Sequence, residues 1–261
     1  MAVQSRAGPY QMREAVFVTS MAARSWPVLW PMAPRTLTTQ RSFSGKAFTA
    51  SAITAQDMYD LKDLGIHTEM MTSTMGEMIR RGVVTGERKN FHKGEHIACF
   101  AGGDRALYET IATNPSVRMM PGTWAVDPMI IMQNDNMVSI NTCIEMDLTG
   151  QITAESVGAR QFSGSGGAFD FAYGALRSKG GRGIYAFTSL SKKGQSRINA
   201  ILAPGAQITI PRNYADYVVT EYGIAPLRGR SVRERTKNLI AIAHPDFRAE
   251  LTRQAEELNY I

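Results

Sequence analysis

The stretch that decides the fold is Gln161-Phe162-Ser163-Gly164-Ser165-Gly166-Gly167-Ala168-Phe169-Asp170-Phe171. Its three glycines fall within four residues and cannot build a packed element of their own. The apolar residues that follow, Ala168, Phe169, Phe171, Ala172, Ala175 and Leu176, are spaced as on the first turns of a helix. A glycine loop that opens a helix points several backbone N–H groups at one place, where a phosphate or an oxygen gaining negative charge is stabilised. Without a Cβ, glycine also lets a ligand come close to the main chain. A tight turn between strand and helix uses the same residues, so the loop alone does not fix a function.

Three anion-binding or nucleophile schemes are excluded. The dinucleotide fingerprint needs glycine or alanine three residues after Gly166, where Phe169 stands. No Gly-Lys-Ser/Thr follows the loop at P-loop spacing. A serine nucleophile elbow on Ser165 needs glycine at 163, which is Ser163.

Outward from the loop, strands alternate with helices. Upstream, residues 58–64 read as a short helix or turn, and 65–70 as a strand bounded by glycine. Residues 73–81 suit a helix ending at Gly82, with Arg80 and Arg81 in the last turn, where the dipole favours cations. A buried strand is expected at 96–100, a helix at 105–112 capped by Asp104, and a strand at 117–120. Asp135-Asn136 is a turn before the alternating run 137–146, and 147–150 is a hairpin turn returning through 151–156. Downstream, strands are expected at 183–188, 198–202, 207–210 and 217–220. Helices follow near 231–242 and 246–258, the second capped by Asp246 after Pro245. The pattern predicts an α/β fold with a mostly parallel, open sheet flanked by helices.

Length and composition bound the function. The 261 residues, 44% of them apolar, can bury a substantial core. No run of about 18 apolar residues occurs, so no membrane span is expected. Cys99 and Cys143 are the only cysteines, which suits a reducing compartment rather than a disulfide framework. The formal charge is +6, but Arg6, Arg13, Arg24, Arg35, Arg41 and Lys46 face only Glu14 within residues 1–56. The remainder is nearly neutral, which argues against a nucleic-acid-binding face.

Residues 1–56 read as a leader, with Pro9, Pro27, Pro31 and Pro34 and no hydrophobic period. The segment 35–44 resembles the end of a mitochondrial transit peptide; a misassigned gene start is the alternative. The expectation is a leader at 1–56 outside the fold and one domain at 57–261. Localisation is then mitochondrial if the leader is genuine and cytoplasmic otherwise.

Three groups of residues are candidates for chemistry. His92-Lys93-Gly94-Glu95-His96 matches an inverted zinc-protease string, which needs both histidines on one helical face. Gly94 and the strand expected from His96 oppose that helix, so the string reads as a surface turn and no metal site is assigned. The arginines of 228–235 could grip phosphate, but Ser231 reads as a helix N-cap, with Arg233, Glu234 and Lys237 on its solvated face. Glu69 and Glu145 both stand at strand ends. A glutamate has a reference pKa near 4.3 and is ionised at neutral pH. As a nucleophile it needs no separate base, only desolvation and an oxyanion partner. Spacing alone does not choose between the two.

Several strings resemble the family I CoA-transferases, in particular the acetyl-CoA hydrolase/transferase group. They are Lys62-Asp-Leu-Gly-Ile-His-Thr-Glu-Met70, Asn134-Asp-Asn-Met-Val-Ser-Ile-Asn141, the 161–167 loop with Asp170-Phe171, Asp216-Tyr-Val-Val-Thr-Glu-Tyr-Gly-Ile224 and Ile242-Ala-His-Pro-Asp-Phe247. The resemblance spans residues 58–259. It implies a C-terminal domain of that family, with Glu69 as the nucleophile and a glutamyl-CoA thioester as intermediate. It implies that Gly166 and Gly167 offer an amide to the thioester oxygen or to CoA. It also implies that Lys192, or its neighbour Lys193, contacts CoA, and that Glu145 plays a supporting part. Coenzyme A is then a substrate, no cofactor is permanently bound, and the partners are acyl-CoA and short carboxylic acids. Full-length members imply a homo-oligomer.

The resemblance also implies an N-terminal domain of comparable size, which is not among these residues, and a glycine-rich CoA loop that residues 42–51 do not match. The expectation is a CoA-transferase moving CoA between acetate and a short acyl or hydroxyacyl acid, with the activity of this chain by itself left open. An acyl-CoA hydrolase and a non-catalytic CoA-binding or assembly remnant are the alternatives.

Overall fold

The computed structural model describes the main chain of residues 42–44 and all of residues 63–261. Strand β1 (Ser42–Ser44) is followed by β2 (Gly65–Ile66), β3 (Met70–Thr72), helix α1 (Ser73–Arg80), β4 (His96–Ala98), β5 (Phe100–Gly102), α2 (Arg105–Thr113) and β6 (Val117–Met119). Two short helices, α3 (Gly122–Ala125) and α4 (Pro128–Ile131), lead into β7 (Met137–Asn141), β8 (Glu145–Asp147), β9 (Ile152–Thr153), β10 (Ser156–Val157) and β11 (Arg160–Gln161). Helix α5 (Ala168–Arg177) precedes β12 (Arg182–Ala186), β13 (Ile198–Asn199), β14 (Tyr217–Thr220), β15 (Gly223–Pro226), α6 (Val232–Ile242) and α7 (Pro245–Glu257).

Six strands form the main sheet, in the order β15-β14-β12-β7-β1-β2. Every pairing in it is parallel except the β14–β15 hairpin at one edge. Parallel strands covered on both faces become near-continuous buried runs, and all five residues of β7 are buried. Val138 and Ile140 cluster with Ile184, Ala186 and Val219. Met137, on the opposite face of the pleat, packs with Ile131, Phe171 and Ala175. Tyr185 and Val218 join a larger core with Leu239 and Ile242 of α6 and Leu251 of α7. A fourth cluster places Met71, Met75, Ala98 and Leu107 together around α1 and α2.

Helix α5 sets the geometry of the site. Its buried stripe is Ala168, Phe171, Ala172 and Ala175. Gly174 lets it lie hard against α4: a Cβ there would stand 2.6 Å from Ile131 Cγ2. A helix that feeds a parallel strand begins at the end of the sheet where the strands finish. The start of α5, the end of β7 and the residues after β2 therefore share the edge where open α/β sheets hold ligands.

The structure revises several sequence expectations. The strand expected at 65–70 is interrupted at residues 68 and 69, that at 96–100 at Cys99, and that at 137–146 after Asn141. Each break is a change of partner: β2 and β7 belong to the main sheet, whereas β3 pairs with β5, β4 with β6, and β8 with β9 and β13. Residues 207–210 form no strand, only a bridge between Ile152 and Ile210, and the strand at 198–202 shortens to β13. Helix α7 is capped by His244, whose Nδ1 accepts from Asp246 N at 3.4 Å; Asp246 lies in the first turn rather than at the cap. The other helix ends stand: Asp104 caps α2, and Ser231 with Glu234 forms a capping box on α6. Within residues 1–56, Ser42 and Phe43 pair with β2 and Ser42–Ser44 with β7, whereas the sequence expectation put the whole segment outside the fold. A three-residue strand flanked by small and polar residues carries no readable period. The rest of residues 1–56, and residues 57–62, lie outside the described residues.

Candidate active site

Glu69 sits in the break between β2 and β3. Its carbonyl oxygen accepts from Cys99 N at 2.9 Å and Phe100 N at 3.2 Å, which fixes the main chain. Its half-buried carboxylate accepts the Gly167 N–H, 3.3 Å to Oε1 and 3.2 Å to Oε2. Gly167 is the N-cap residue of α5 and offers no side-chain cap, so the helix start presents amide donors.

The two adjacent glycines serve different needs. Gly166 has φ +52°, a left-handed conformation that favours glycine. Gly167 has φ −81° and ψ 14°, which other residues can adopt. What Gly167 provides is space: a Cβ there would stand 3.1 Å from Glu69 Oε2 and 3.4 Å from Glu69 Cδ.

The rival acid, Glu145, opens β8. Its Oε2 is buried without a hydrogen-bond partner. Burial raises its carboxyl above the ordinary carboxylate range, against the pull of Arg197. Of the two glutamates, Glu69 is the one whose carboxylate accepts from the glycine loop. Cys99, beside it along the chain pairing, is driven up to about 11 by burial and by the Glu69 charge. Lys192 and Lys193 are exposed on a separate turn after β12, closed by Ser191 N to Gln195 O at 2.8 Å with Gly194 at φ +73°. Ser189, at the root of that turn, donates to Glu221 through its N–H at 2.8 Å and its hydroxyl at 2.6 Å. The glycine loop and Glu69 are thus brought together, and Lys192 is carried on a different loop.

The His92–His96 string is not helical. His92 has φ +50° and bonds Glu95 at 2.5 Å, while His96 opens β4, so the two imidazoles do not share a helical face. Among the described residues no group of three or more His, Cys, Asp or Glu is placed to hold a metal ion, and no helix is long and apolar enough to cross a membrane.

Sequence reading did not single out Lys89, His67 and His96 as a buried polar cluster. Lys89 is buried, and its Nζ donates to Glu95 O at 2.8 Å and Ile66 O at 3.3 Å; burial pushes it down to about 8. His67 and His96 are buried too, and burial holds each near 4. The available signal was the placing of His67 two residues before the candidate nucleophile.

A carboxylate set against amide donors at the carboxyl edge of a parallel sheet is an arrangement suited to acyl transfer. Comparison with known proteins gives the family: residues 103–255 match the acetyl-CoA hydrolase/transferase C-terminal domain, and the chain belongs to that family. It is 46% identical to the 4-hydroxybutyrate coenzyme A transferase of Clostridium kluyveri over 73% of this chain and 44% of that protein. It is 48% identical to the succinyl-CoA:cyclohexane-1-carboxylate CoA transferase of Geobacter metallireducens over 77% of this chain and 46% of that one. Among solved structures, RipA from Yersinia pestis matches with a TM-score of 0.83 and 37% identity, covering 100% of this chain and 56% of RipA. The 4-hydroxybutyrate CoA-transferase of Porphyromonas gingivalis matches with a TM-score of 0.77 and 36% identity, over 93% of this chain and 56% of that one. The chain spans about half the length of the relatives it matches.

Proposed function

We propose that this chain carries the nucleophile of a CoA-transferase that exchanges CoA between short acyl groups and acetate, and that Glu69 is that nucleophile. The observation that carries this reading is the bond from the Gly167 amide to the Glu69 carboxylate. A Glu69 oxygen attacks the acyl-CoA carbonyl, the C–S bond breaks, and a mixed anhydride and CoA thiolate result. The thiolate then attacks Glu69 Cδ and expels the acyl group as its carboxylate, leaving a glutamyl-CoA thioester. An acceptor carboxylate attacks the same Cδ and releases the thiolate. The thiolate takes the new acyl group, and Glu69 returns as a carboxylate.

Two of these steps place an oxyanion on Glu69 itself. The Gly167 N–H already points at those oxygens, so it can hold that charge without rearrangement; one such donor is typically worth about 10²–10³ in rate. Gly166 gives the loop the turn that aims the amide. Lys192, exposed and cationic, is suited to a CoA phosphate. The substrate class follows from the relatives named for 4-hydroxybutyrate, cyclohexane-1-carboxylate and butyrate transfer.

The test is exchange of labelled acetate into acyl-CoA by the purified chain. Transfer that depends on the acceptor and obeys ping-pong kinetics supports the reading. CoA release with no acceptor makes the chain a hydrolase, the activity named for the acetyl-CoA hydrolase of Saccharomyces cerevisiae, which is 31% identical over 44% of this chain. CoA binding with neither reaction leaves a non-catalytic module.

A further inference from the structure

Two residues before Glu69 stands a buried histidine to which the transfer steps give no part. His67 is fully buried. Its Nε2 lies 2.7 Å from Ala125 O. A carbonyl only accepts, so Nε2 carries the hydrogen. Nδ1 is then the bare nitrogen, and it accepts from the Asn134 amide at 3.3 Å. That same Asn134 nitrogen also donates to Ile131 O at 3.2 Å. One neutral tautomer satisfies both neighbours, in keeping with burial holding this imidazole down to about 4. The ring also stacks on Trp124 and meets Phe171 edge-on, each with centroids 6.1 Å apart.

The partners of His67 lead back to the site. Ala125 and Trp124 belong to α3, and Asn134 follows α4. Helix α4 is seated on α5 at the Ile131–Gly174 contact. Phe171 N donates to Gly167 O at 2.9 Å, and the Phe171 ring is 3.4 Å from where a Gly167 Cβ would stand. The Gly167 amide then returns to Glu69. The contacts close a circuit from Glu69 through His67, α3 and α4, and α5 to Gly167.

We propose that His67 is a positioning residue for the nucleophile: its two hydrogen bonds hold Glu69 in register with the Gly167 amide. The catalytic consequence rests on Glu69 acting as proposed above. The geometric part does not, and the two can be tested apart.

His67→Gln keeps a donor for Ala125 O and an acceptor for Asn134. His67→Leu fills similar space with neither. The first readout is the Gly167 amide resonance in the full chain, followed through the titration of Glu69 and identified by its absence in Glu69→Gln. The titration shift is expected in the wild type and His67→Gln, and is expected to fall by about half or more in His67→Leu, since the bond weakens steeply with distance and angle. The second readout is transfer kinetics. His67→Leu is expected to lower kcat on the order of 10- to 100-fold with KM for acyl-CoA held within about twofold, and His67→Gln to recover most of the loss. Should His67→Leu fail to fold, Asn134→Ala, which leaves Nδ1 without its donor, is measured in its place with the same direction expected. A wild-type Gly167 shift and wild-type kcat in His67→Leu or Asn134→Ala overturn the inference. A wild type without turnover, whose Gly167 shift is lost in His67→Leu, sinks the transferase reading and leaves the positioning role standing.

Discussion

The amide of Gly167 donates to both carboxylate oxygens of Glu69, at 3.3 and 3.2 Å, across 98 residues of sequence. Gly167→Ala tests this contact with little backbone cost, because φ −81° suits alanine. The added methyl would stand 3.1 Å from Glu69 Oε2, so the carboxylate must shift by a few tenths of an ångström against the amide that holds it. Transfer is expected to drop on the order of 10²-fold, with a thermal midpoint within a few degrees of wild type. Gly166→Ala is the contrasting case: at φ +52° it is expected to cost about 1–2 kcal/mol of stability. Full activity in Gly167→Ala would show that the contact plays no part in turnover.

The proposed reading gives Lys192 to CoA rather than to the acyl group. Lys192→Ala is expected to raise KM for acyl-CoA on the order of tenfold, the worth of one charge-assisted hydrogen bond. The effect should shrink in high salt and disappear when the CoA substrate lacks its 3′-phosphate, if that is the group contacted. Steady-state kinetics with both substrates decide it. A loss confined to kcat contradicts the assignment.

Stability should fall on mild acidification. His67 and His96 are buried as neutral imidazoles, held near 4 against 6.5 in a solvated chain. Between those values the unfolded chain binds more protons than the folded one, so lowering pH from 6.5 toward 4 favours unfolding, and the loss levels off below 4. The slope is about 1.4 kcal/mol per pH unit for each fully differing proton. Glu145 and Asp216, whose carboxyls burial raises, act in the opposite sense. Urea midpoints from pH 7 to 4 should decline less steeply in His96→Gln than in wild type. Parallel declines would show that His96 is not buried neutral.

The sequence carried the outline of the fold and the two ends of the site, but not their meeting. The helix after the glycine loop was legible because Ala168, Phe171, Ala172 and Ala175 keep a helical period. Glu69 was not separable from Glu145 by spacing, since both end strand-like runs; the family strings made the choice. The breaks at residues 68–69, at Cys99 and after Asn141 left no trace. β2, β3, β4 and β7 are buried throughout, so no change of period marks the breaks, while the strands on either side of each belong to different sheets. Helices α3 and α4 are four residues each, too short for a period. The circuit through His67 and Asn134 stayed hidden because its deciding contacts join distant segments, His67 to Ala125 across 58 residues and to Asn134 across 67, and neither shows in local composition.

The most direct test is to expose the chain to acyl-CoA, reduce it with borohydride, and map the modified peptide by mass spectrometry. The expected result is modification of Glu69, as its CoA thioester before reduction and its alcohol after, absent in Glu69→Gln. A chain that turns over while Glu69 remains unmodified under these conditions, or that carries the label on Glu145 instead, contradicts Glu69 as the nucleophile.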